Sequence, residues 1–432
     1  MGIKKLLAFL RELNPNIVQQ FSITEIKGHR IAFDLSILCY TKKSDAVRNQ
    51  VKQIRDPIYE NPDYEYCKIH MIREILKIIS IVLEGGCVPV MVFDGPPPTL
   101  KAGTKEIRAG LSNTKKDNIA GLRRIAKGLL NDNNFKITEG DLQFLKKFEK
   151  SFMKKHKRHI ESIDDIRWIL KNQLNQFVVV TKQDQELLQS VFSNLGIPFV
   201  KALSEAEQTC AHMCLMKDVI AIYTTDSDCL VFGCPIMINK IEYNSGARRK
   251  IPAKLQCYTF ENTLKVIQLS HQQFIDFCIL MGTDYNSNPS GYGPEKHYDF
   301  IKIYGSINGI KQAQKDIKAK SIESLSSIEH LLIDYDLSHI KYNEIVDYFT
   351  DQVKYDRSNL DLTIKDDHFN TSLSELNDLL GGESVIHILD FVRKISDLIP
   401  QVNSIRKTIS CEIKSGEGIC VEIVDSFSEL KI

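Results

Sequence analysis

The chain has 432 residues, which is long enough for one large domain or for two to three smaller ones. Hydrophobic residues make up 43% and charged residues 26%, a composition typical of an ordinary globular protein and not of a disordered or fibrous one. The formal net charge is only +1, so total charge neither indicates nor excludes a nucleic-acid partner, which only local clusters of charge can reveal.

The cysteines and the apolar runs of the sequence indicate the cellular compartment in which the protein works. Eleven cysteines without a Cys-x-x-Cys spacing argue against a zinc site and a disulfide framework, and fit a reducing environment. The apolar stretch Leu6–Leu10 is too short for a signal peptide. Residues 75–93 have the length of a membrane span, but they contain Lys77 and Glu84. They divide better into a helix that ends at Gly85-Gly86 and a strand that follows. We therefore expect an intracellular protein that is neither secreted nor membrane-bound.

Apolar periodicity predicts helices that alternate with strands. Residues 69–83 have helical spacing, Gly85-Gly86 can end that helix in a left-handed conformation, and 88–93 form a short buried strand. Two more such units follow, with helices over 187–192 and 206–214 and strands over 197–200 and 219–223. Further strands are predicted over 235–239 and 255–260, and the chain beyond about residue 265 is helical. This alternation predicts an α/β fold with a mostly parallel sheet.

Acidic residues at strand ends and helix starts are the most informative pattern. There are seven of them: Asp34, Asp94, Glu205, Glu207, Asp226, Asp228 and Asp284. Because the carboxyl ends of parallel strands meet at one edge of a sheet, we expect these side chains to share one cavity. Clustered carboxylates raise one another's pKa values unless cations neutralise them, and their oxygens are the ligands that Mg²⁺ and Mn²⁺ prefer. A pair of such ions can promote phosphodiester hydrolysis without a covalent nucleophile.

Each acidic motif also has a purely structural interpretation. Ser204 and Glu207 have the spacing of a capping box that would exist without any metal. Asp226 can close an Asx turn, and Asp94-Gly95 is a common turn dipeptide. Since five separate motifs would all have to be structural at once, we favour the metal site, in which one acid can also serve both purposes.

Two groups of basic residues lie between the acidic motifs. Lys101, Lys105 and Arg108 occupy positions i, i+4 and i+7, so one helix face could hold a scissile phosphate, or could simply be a solvated face. A second cluster surrounds Phe148 and Phe152: Lys146, Lys147, Lys150, Lys154, Lys155, Lys157 and Arg158. Bases mixed with aromatics suit single-stranded nucleic acid, although an exposed helix or a localisation signal fits this pattern equally well.

Two further features have open interpretations. The loop Gly291-Tyr292-Gly293 precedes a helix and could present backbone N–H groups to a phosphate, or could be an ordinary turn. Tyr40 is a core aromatic by default and a base-stacking platform if the cavity binds DNA.

In chain order, these motifs resemble the flap endonucleases of the XPG/Rad2 family of structure-specific 5′-nucleases. The matching segments are Met1-Gly2-Ile3, Ile31–Asp34, Val92–Gly95 with Pro97-Pro98, Leu100-Lys101, Gly196–Pro198, Ser204–Glu207, Asp226–Leu230 with Phe232-Gly233, and Cys278–Tyr285. The likeness covers roughly residues 1–105 and 180–305, and more faintly 360–380.

The resemblance implies a metal-dependent nuclease that recognises branched DNA by its shape and cuts near the junction of a 5′ single-stranded flap. It assigns the first Mg²⁺ to Asp34, Asp94, Glu205 and Glu207, and the second to Asp226, Asp228 and Asp284. Mn²⁺ could substitute for either ion. Lys101 and Arg108 occupy the positions of the family's catalytic bases, below a helical cap through which the flap threads.

The resemblance also implies a set of DNA contacts. Tyr40 matches the aromatic that stacks on the terminal base, and the loop at Gly291 and Gly293 matches a helix-two-turn-helix that holds the downstream duplex, with a K⁺ ion among its carbonyls. The full set of expected DNA-contacting residues is Gly2, Tyr40, Lys101, Lys105, Arg108, Gly291, Gly293 and Lys296.

The sequence departs from the family in three places. The interval from Asp94 to Glu205 is longer than is usual for flap endonucleases, so the cap should be enlarged. Pro289-Ser290 replaces the usual Ile-Arg step and Glu295 replaces a base, so the K⁺ site and the strength of duplex binding stay open. The C-terminus carries no sliding-clamp motif, and we expect a monomer.

We therefore predict a PIN-like nuclease core with these divisions: residues 1–109, the first part of the core; 110–180, the enlarged cap; 181–265, the second part of the core; 266–330, the helix-two-turn-helix region; and 331–432, a C-terminal helical region. The expected activity is flap cleavage by a two-metal-ion mechanism in DNA replication, repair or recombination, in the nucleus or at a cytoplasmic site of replication. The alternatives are a 5′-3′ exonuclease or a junction-resolving nuclease of the same family, or a catalytically silent DNA-binding scaffold.

Overall fold

The computed structural model describes residues 2–3, 5–132, 134–243, 252–318, 325–351, 355, 360–365 and 382–415. Within these ranges one sheet is formed by the strands β1 (Gln19–Ser22), β2 (Arg30–Asp34), β3 (Val88–Phe93), β4 (Phe199–Lys201), β5 (Ala221–Tyr223), β6 (Ile236–Glu242) and β7 (Lys254–Thr259). Their order across the sheet is β1-β7-β6-β5-β2-β3-β4. The five strands from β6 to β4 run parallel, and β7 is antiparallel to both β6 and β1. The predicted, mostly parallel α/β architecture is confirmed.

The helices that precede or flank the first half of the sheet are α1 (Leu6–Leu13), α2 (Leu35–Gln53), α3 (Tyr64–Glu84), α4 (Ala102–Asn131), α5 (Glu139–His156), α6 (Ile163–Gln176), α7 (Lys182–Asn194) and α8 (Ala206–Leu215). The later helices are α9 (Asp228–Val231), α10 (Phe260–Ile267), α11 (His271–Met281), α12 (Pro294–Tyr304), α13 (Ile307–Ile317), α14 (Ser327–Ile333), α15 (Tyr342–Thr350) and α16 (Gly382–Ser415). No helix within the described ranges has the length and apolarity needed to cross a lipid bilayer.

Apolar side chains cover both faces of the sheet, because successive residues of a strand point to opposite sides. In β2, Ala32 joins the cluster that contains α1, α8 and α11, whereas Ile31 and Phe33 join the cluster that contains α3 and α7. All six residues of β3 are buried, as expected for a central parallel strand. The sheet is therefore a rigid middle layer whose carboxyl edge is held in place from both sides.

The predicted helix-to-strand units are present with shifted ends. Gly86 adopts a left-handed φ of +78° after α3, and Gly196 adopts +66° after α7, where only glycine has no steric cost. The strands predicted from residues 197 and 219 begin two residues later, at Phe199 and Ala221. Neither shift moves the end of the strand away from the acidic motif that follows.

Helices α4, α5 and α6 build a separate apolar cluster with the C-terminal half of α2. Helices α5, α6 and α7 begin by one local rule, in which an acid three residues after the N-cap completes a capping box. The boxes pair Thr138 with Asp141 at α5 and Ser162 with Asp165 at α6, and Thr181 opens α7 in the same way. The acids of all three boxes are buried, and each also contacts a basic side chain. The fainter family likeness at 366–380 and the region 416–432 lie outside the described residues.

Candidate active site

Adjacent parallel strands bring the acidic motifs to one edge of the sheet. β2 ends at Asp34, which also begins α2 by accepting a hydrogen bond from the Ile37 backbone N–H at 3.4 Å. β3 ends one residue before Asp94, and β5 leads to the turn that holds Asp226. Since β2 pairs with both β3 and β5 in parallel, these carboxylates emerge side by side.

Asp94 fixes the next acidic motif against the sheet. Its Oδ1 accepts a hydrogen bond from the Ala206 backbone N–H at 2.8 Å, and the Gly95 N–H donates to the Ser204 carbonyl at 2.6 Å. A Cβ at Gly95 would overlap the carbonyl oxygen of Ala202, so the close approach of the two segments requires glycine. Glu205 is thereby placed beside the end of β3.

The capping-box interpretation of Ser204 and Glu207 is wrong. α8 begins at Ala206 with Glu205 as its N-cap, and no side chain from that position caps the helix. The Ser204 hydroxyl has no hydrogen-bond partner among the described residues. Asp94, the residue after β3, caps α8 instead. The Glu207 carboxylate is therefore not used for capping and lies near the other acids of the cavity.

The turn after β5 links two acids through a threonine. The Thr224 hydroxyl donates to Asp34 Oδ2 at 3.0 Å and accepts from the Asp226 backbone N–H at 3.0 Å. Asp226 Oδ1 accepts from the Asp228 N–H at 3.1 Å, so the predicted Asx turn is present. Asp228 is buried, and its Oδ1 has no hydrogen-bond partner in the described structure. An orphaned carboxylate oxygen inside an acidic cavity is a suitable cation ligand.

Lys101 lies among the acids and not on an exposed face. Its ammonium contacts Glu205 Oε1 and lies 2.9 Å from Asp284 Oδ2. Asp284 follows α11 after Gly282, whose φ is +91°, and the Thr104 hydroxyl donates to the Asp284 carbonyl at 2.5 Å. The start of α4 and the end of α11 therefore meet at the same cavity, which rejects the solvated-face alternative for Lys101.

The electrostatics match a cluster of like charges. Burial raises the pKa of Asp34 to about 8, with further contributions from Asp94 and Asp226. Burial likewise raises the pKa values of Glu207, Asp226 and Asp228, and neighbouring carboxylates add to each shift. Burial opposes the charge of Lys101, but the surrounding carboxylates, led by Glu207 and Glu205, outweigh it and raise its pKa. Each ionised acid stabilises a bound cation, and it destabilises the ionised form of the neighbouring acids.

The donor set suits hard divalent cations, since it consists of carboxylate oxygens and no sulfur or imidazole nitrogen. As placed, however, no three acidic, histidine or cysteine side chains of the described ranges converge on one ion position. The Lys101 ammonium lies between Glu205 and Asp284. Binding an ion therefore requires side chains to turn, and the two-metal ligand assignment stays a prediction.

The predicted DNA contacts near the cavity are placed as follows. Tyr40 lies on α2 with 45% of its surface exposed, so its interpretation as a core aromatic is wrong. Gly2 has a φ of +82°, and a Cβ there would overlap Asp226 Oδ1, so this glycine lets the N-terminus lie against the acidic turn. Lys105 and Arg108 belong to α4, but their side chains lie outside the described structure.

The glycine loop has a structural tyrosine. Gly291 has a φ of +86°, and Gly293 precedes α12 as its N-cap. The Tyr292 hydroxyl between them donates to the Leu331 carbonyl at 2.6 Å and its ring packs on Tyr335, so it anchors the loop to α14. Glu295 places an acid in the first turn of α12, which opposes phosphate binding at that helix terminus. Lys296 is exposed and pairs with Asp299 at 3.3 Å.

The basic cluster on α5 separates into two kinds of residue. Phe148 and Phe152 are buried in the core of α4, α5 and α6, so the interpretation in which bases stack on these rings is wrong. The cause is amphipathic geometry, because the aromatics occupy the inner face of α5 while the lysines occupy the outer face. Lys146, Lys150 and Lys154 are exposed and form no ion pair with any described residue.

Two functional candidates were not identified from the sequence. The hydroxyls of Tyr285 and Tyr348 both donate to Glu205 Oε2. Tyr285 could have been found from its position next to Asp284. Tyr348 could not, because 143 residues separate it from Glu205 and no motif marks it.

Comparison with known proteins identifies the family. The XPG N-terminal domain matches residues 1–115 and the XPG I-region matches residues 196–284. Flap endonuclease 1 of Danio rerio is 30% identical over 310 residues, which cover 72% of this chain and 68% of that protein. The chain belongs to the XPG/Rad2 family. Flap endonuclease 1 of Enterocytozoon bieneusi is 29% identical over 328 residues, which cover 75% of this chain and 77% of the relative.

Solved structures share the XPG/Rad2 fold. The catalytic core of Rad2 in complex with DNA substrate superposes with a TM-score of 0.53 and 20% identity, covering 88% of this chain and 98% of that one. Flap endonuclease-1 from Methanococcus jannaschii gives a TM-score of 0.51 and 19% identity, covering 93% and 99%. The two matched XPG regions together hold all seven acids, and they leave out residues 116–195, which include α5 and α6.

Proposed function

We propose that this XPG/Rad2 family protein is a structure-specific 5′ flap endonuclease that hydrolyses DNA near junctions of single and double strand. The observation that carries the proposal is the acidic cavity at the carboxyl edge of the sheet. There Lys101 contacts Glu205 and Asp284, and the remaining acids are close enough to raise one another's pKa values. Two relatives are named flap endonuclease 1, and their similarity to this chain supports the same reaction, hydrolysis of DNA at flaps. The process served would be DNA replication, repair or recombination.

We further propose that the acids hold two Mg²⁺ ions, with Mn²⁺ as a substitute. One ion would bind to Asp34, Asp94, Glu205 and Glu207, and the other to Asp226, Asp228 and Asp284. Such ions would supply Lewis-acid stabilisation of the phosphate and activation of the attacking water. The raised pKa values of the buried acids support this assignment, because a cation would compensate their mutual repulsion.

Lys101 would act directly on the substrate. Its ammonium is held by Glu205 and Asp284, and a scissile phosphate entering the cavity offers a competing anionic partner. Transfer of the ammonium to that phosphate would neutralise charge in the transition state. Lys105 and Arg108 follow on α4 at helical spacing and would extend this contact along the strand.

The remaining contacts would orient the DNA. Exposed Tyr40 would stack on a base beside the cavity, and Gly2 would let the N-terminus approach it. The cap, residues 110–180, would contact the flap through phosphates. The region 266–330 would hold the downstream duplex through Gly291, Gly293 and Lys296, with the K⁺ ion as an open part of that proposal.

The test is cleavage of 5′-labelled flap, nicked, blunt and four-way-junction DNA, with Mg²⁺ or with EDTA, mapped at nucleotide resolution. We expect cleavage one or a few bonds from the flap junction, in Mg²⁺ only. Asp228→Ala should abolish it, whereas Asp397→Ala, which changes an exposed acid on α16, should not. Preferred cleavage of blunt ends or four-way junctions would favour the exonuclease or the resolvase, and binding without cleavage would favour the scaffold.

A further inference from the structure

Glu205 contacts three side chains within the cavity. Its Oε2 accepts hydrogen bonds from two tyrosine hydroxyls, those of Tyr285 and of Tyr348, the latter at 3.0 Å. Its other oxygen, Oε1, faces the Lys101 ammonium. The two ends of the carboxylate are therefore in chemically different surroundings.

The tyrosines come from separate elements and support each other. Tyr285 lies in the loop after α11, and Tyr348 lies on α15, in a part of the chain that neither matched XPG region covers. Their ring centroids are 4.7 Å apart, and both rings pack against Phe349. Packing on several sides limits the rotation of both rings and so fixes the direction of their hydroxyls.

A carboxylate oxygen has two lone pairs available for hydrogen bonds, and two hydroxyls fill those of Oε2. Glu205 can then offer only Oε1 to a further partner. Its side chain is also prevented from rotating, because a rotation would break both hydrogen bonds inside a buried site. The pair of tyrosines thus determines which atom of Glu205 faces the cavity.

We propose that Tyr285 and Tyr348 are positioning residues that hold Glu205 so that Oε1 alone is presented to a divalent cation. The proposal rests on the metal site of the proposed function and makes α15 part of the active-site support. Groups that hold a ligand in this way commonly contribute about 10-fold to 100-fold to metal affinity.

The chain offers a matched control on the same helix. The Tyr342 hydroxyl donates to Asp276 Oδ1 at 2.9 Å, and Asp276 is a buried acid that is not one of the seven. Tyr342→Phe and Tyr348→Phe therefore remove the same atom from the same helix, and each leaves a buried carboxylate with one fewer donor. Only the second change involves the cavity.

The experiment is a Mn²⁺ titration of the full chain without DNA, followed by electron paramagnetic resonance. We expect Tyr348→Phe and Tyr285→Phe each to weaken Mn²⁺ binding by about 10-fold, and Tyr342→Phe to leave it unchanged. The effects of the two cavity variants should not add in the double variant, since both hydroxyls hold one oxygen. Melting temperatures in EDTA verify that every variant is folded.

A second measurement is the Mg²⁺ concentration that gives half-maximal flap cleavage. It should rise in Tyr348→Phe, with the maximal rate largely restored at high Mg²⁺. Equal Mn²⁺ affinity in Tyr348→Phe and Tyr342→Phe would overturn the positioning role, even for a protein that cleaves flaps normally. A wild-type protein that cleaves no flap, but whose Mn²⁺ affinity falls in the two cavity variants, would refute the proposed function and uphold the positioning role.

Discussion

The Asp94 carboxylate caps α8 from a different part of the chain, by accepting the Ala206 N–H at 2.8 Å. This hydrogen bond joins the end of β3 to the residue that follows Glu205, so two of the proposed metal ligands are held in register. The negative charge also lies at the positive end of the α8 dipole.

Asp94 therefore has a structural role that can be separated from its proposed metal role. Asp94→Asn keeps an acceptor for the Ala206 N–H but loses the charge, whereas Asp94→Ala loses both. We expect both variants to lose flap cleavage, and only Asp94→Ala to lose about 0.5–2 kcal/mol of unfolding free energy, the usual cost of removing a helix cap. Cleavage assays and urea unfolding test this, and full activity in Asp94→Asn would rule out the metal role.

A buried ion pair connects α2 to α7. Lys43 Nζ lies 2.5 Å from Asp184 Oδ2, and the two side chains are only 7% and 3% exposed. Lys43→Ala would leave the Asp184 carboxylate buried and unpaired, at an expected cost of about 3–5 kcal/mol. The double variant Lys43→Met, Asp184→Asn should be less destabilised, because it leaves no uncompensated charge and the amide oxygen can still accept the Thr181 N–H of the capping box. Urea unfolding of both variants decides, and equal destabilisation would show that the ion pair is not responsible.

The outer face of α5 should contact the flap electrostatically. Lys146, Lys150 and Lys154 are spaced four residues apart, and like charges at this spacing destabilise a helix. If they contact single-stranded phosphates, Lys→Gln at all three should reduce the slope of log K against log salt by roughly 2, at about 0.7 per contact. The melting temperature should not fall.

Binding of a 5′-flap substrate across a salt series measures this slope. Lys→Gln at Lys182, Lys254 and Lys265 removes the same charge from exposed positions outside α5 and serves as the control. If the slope of log K against log salt were the same in the two triple variants, the lysines of α5 would contribute to DNA binding only through the net charge of the protein.

Acidification should weaken the start of α6. Arg158 donates to both oxygens of Asp165, at 2.8 and 2.5 Å, and this interaction holds the pKa of the carboxyl well below its usual value. Because the pKa is lower in the folded state, the stabilisation is complete above the unfolded value of about 3.9 and is lost as pH falls below it. Thermal unfolding of Asp165→Asn between pH 7 and 3 should therefore depend less on pH than that of the wild type.

Asp164 provides the comparison for this pH series, since it lies one residue earlier and pairs with Arg167 with 84% of its side chain exposed. Asp164→Asn should keep the pH dependence of the wild type, because exposed ion pairs contribute little. If the melting temperature of Asp165→Asn depended on pH as strongly as that of the wild type, groups other than Asp165 would cause the acid sensitivity.

The sequence by itself determined the alternation of helices and strands, and it determined that the acidic motifs reach one edge of the sheet. Both follow from local rules: apolar periodicity defines the elements, and parallel strands bring their carboxyl ends to one edge. Asp34, Asp94 and Asp226 had to be neighbours once β2, β3 and β5 were parallel and adjacent. The left-handed conformation of Gly86 after α3 could likewise be predicted from the local sequence.

Only the tertiary structure decided which partner each side chain meets. The spacing of Ser204 and Glu207 fitted a capping box, yet Asp94, 112 residues from Ala206, provides the cap. Phe148 could have faced bases, but burial of its apolar ring against α4 and α6 was the stronger effect. Tyr348 reaches Glu205 across 143 residues through packing alone. Such contacts depend on how complete elements fit together, and no local pattern in the sequence encodes that fit.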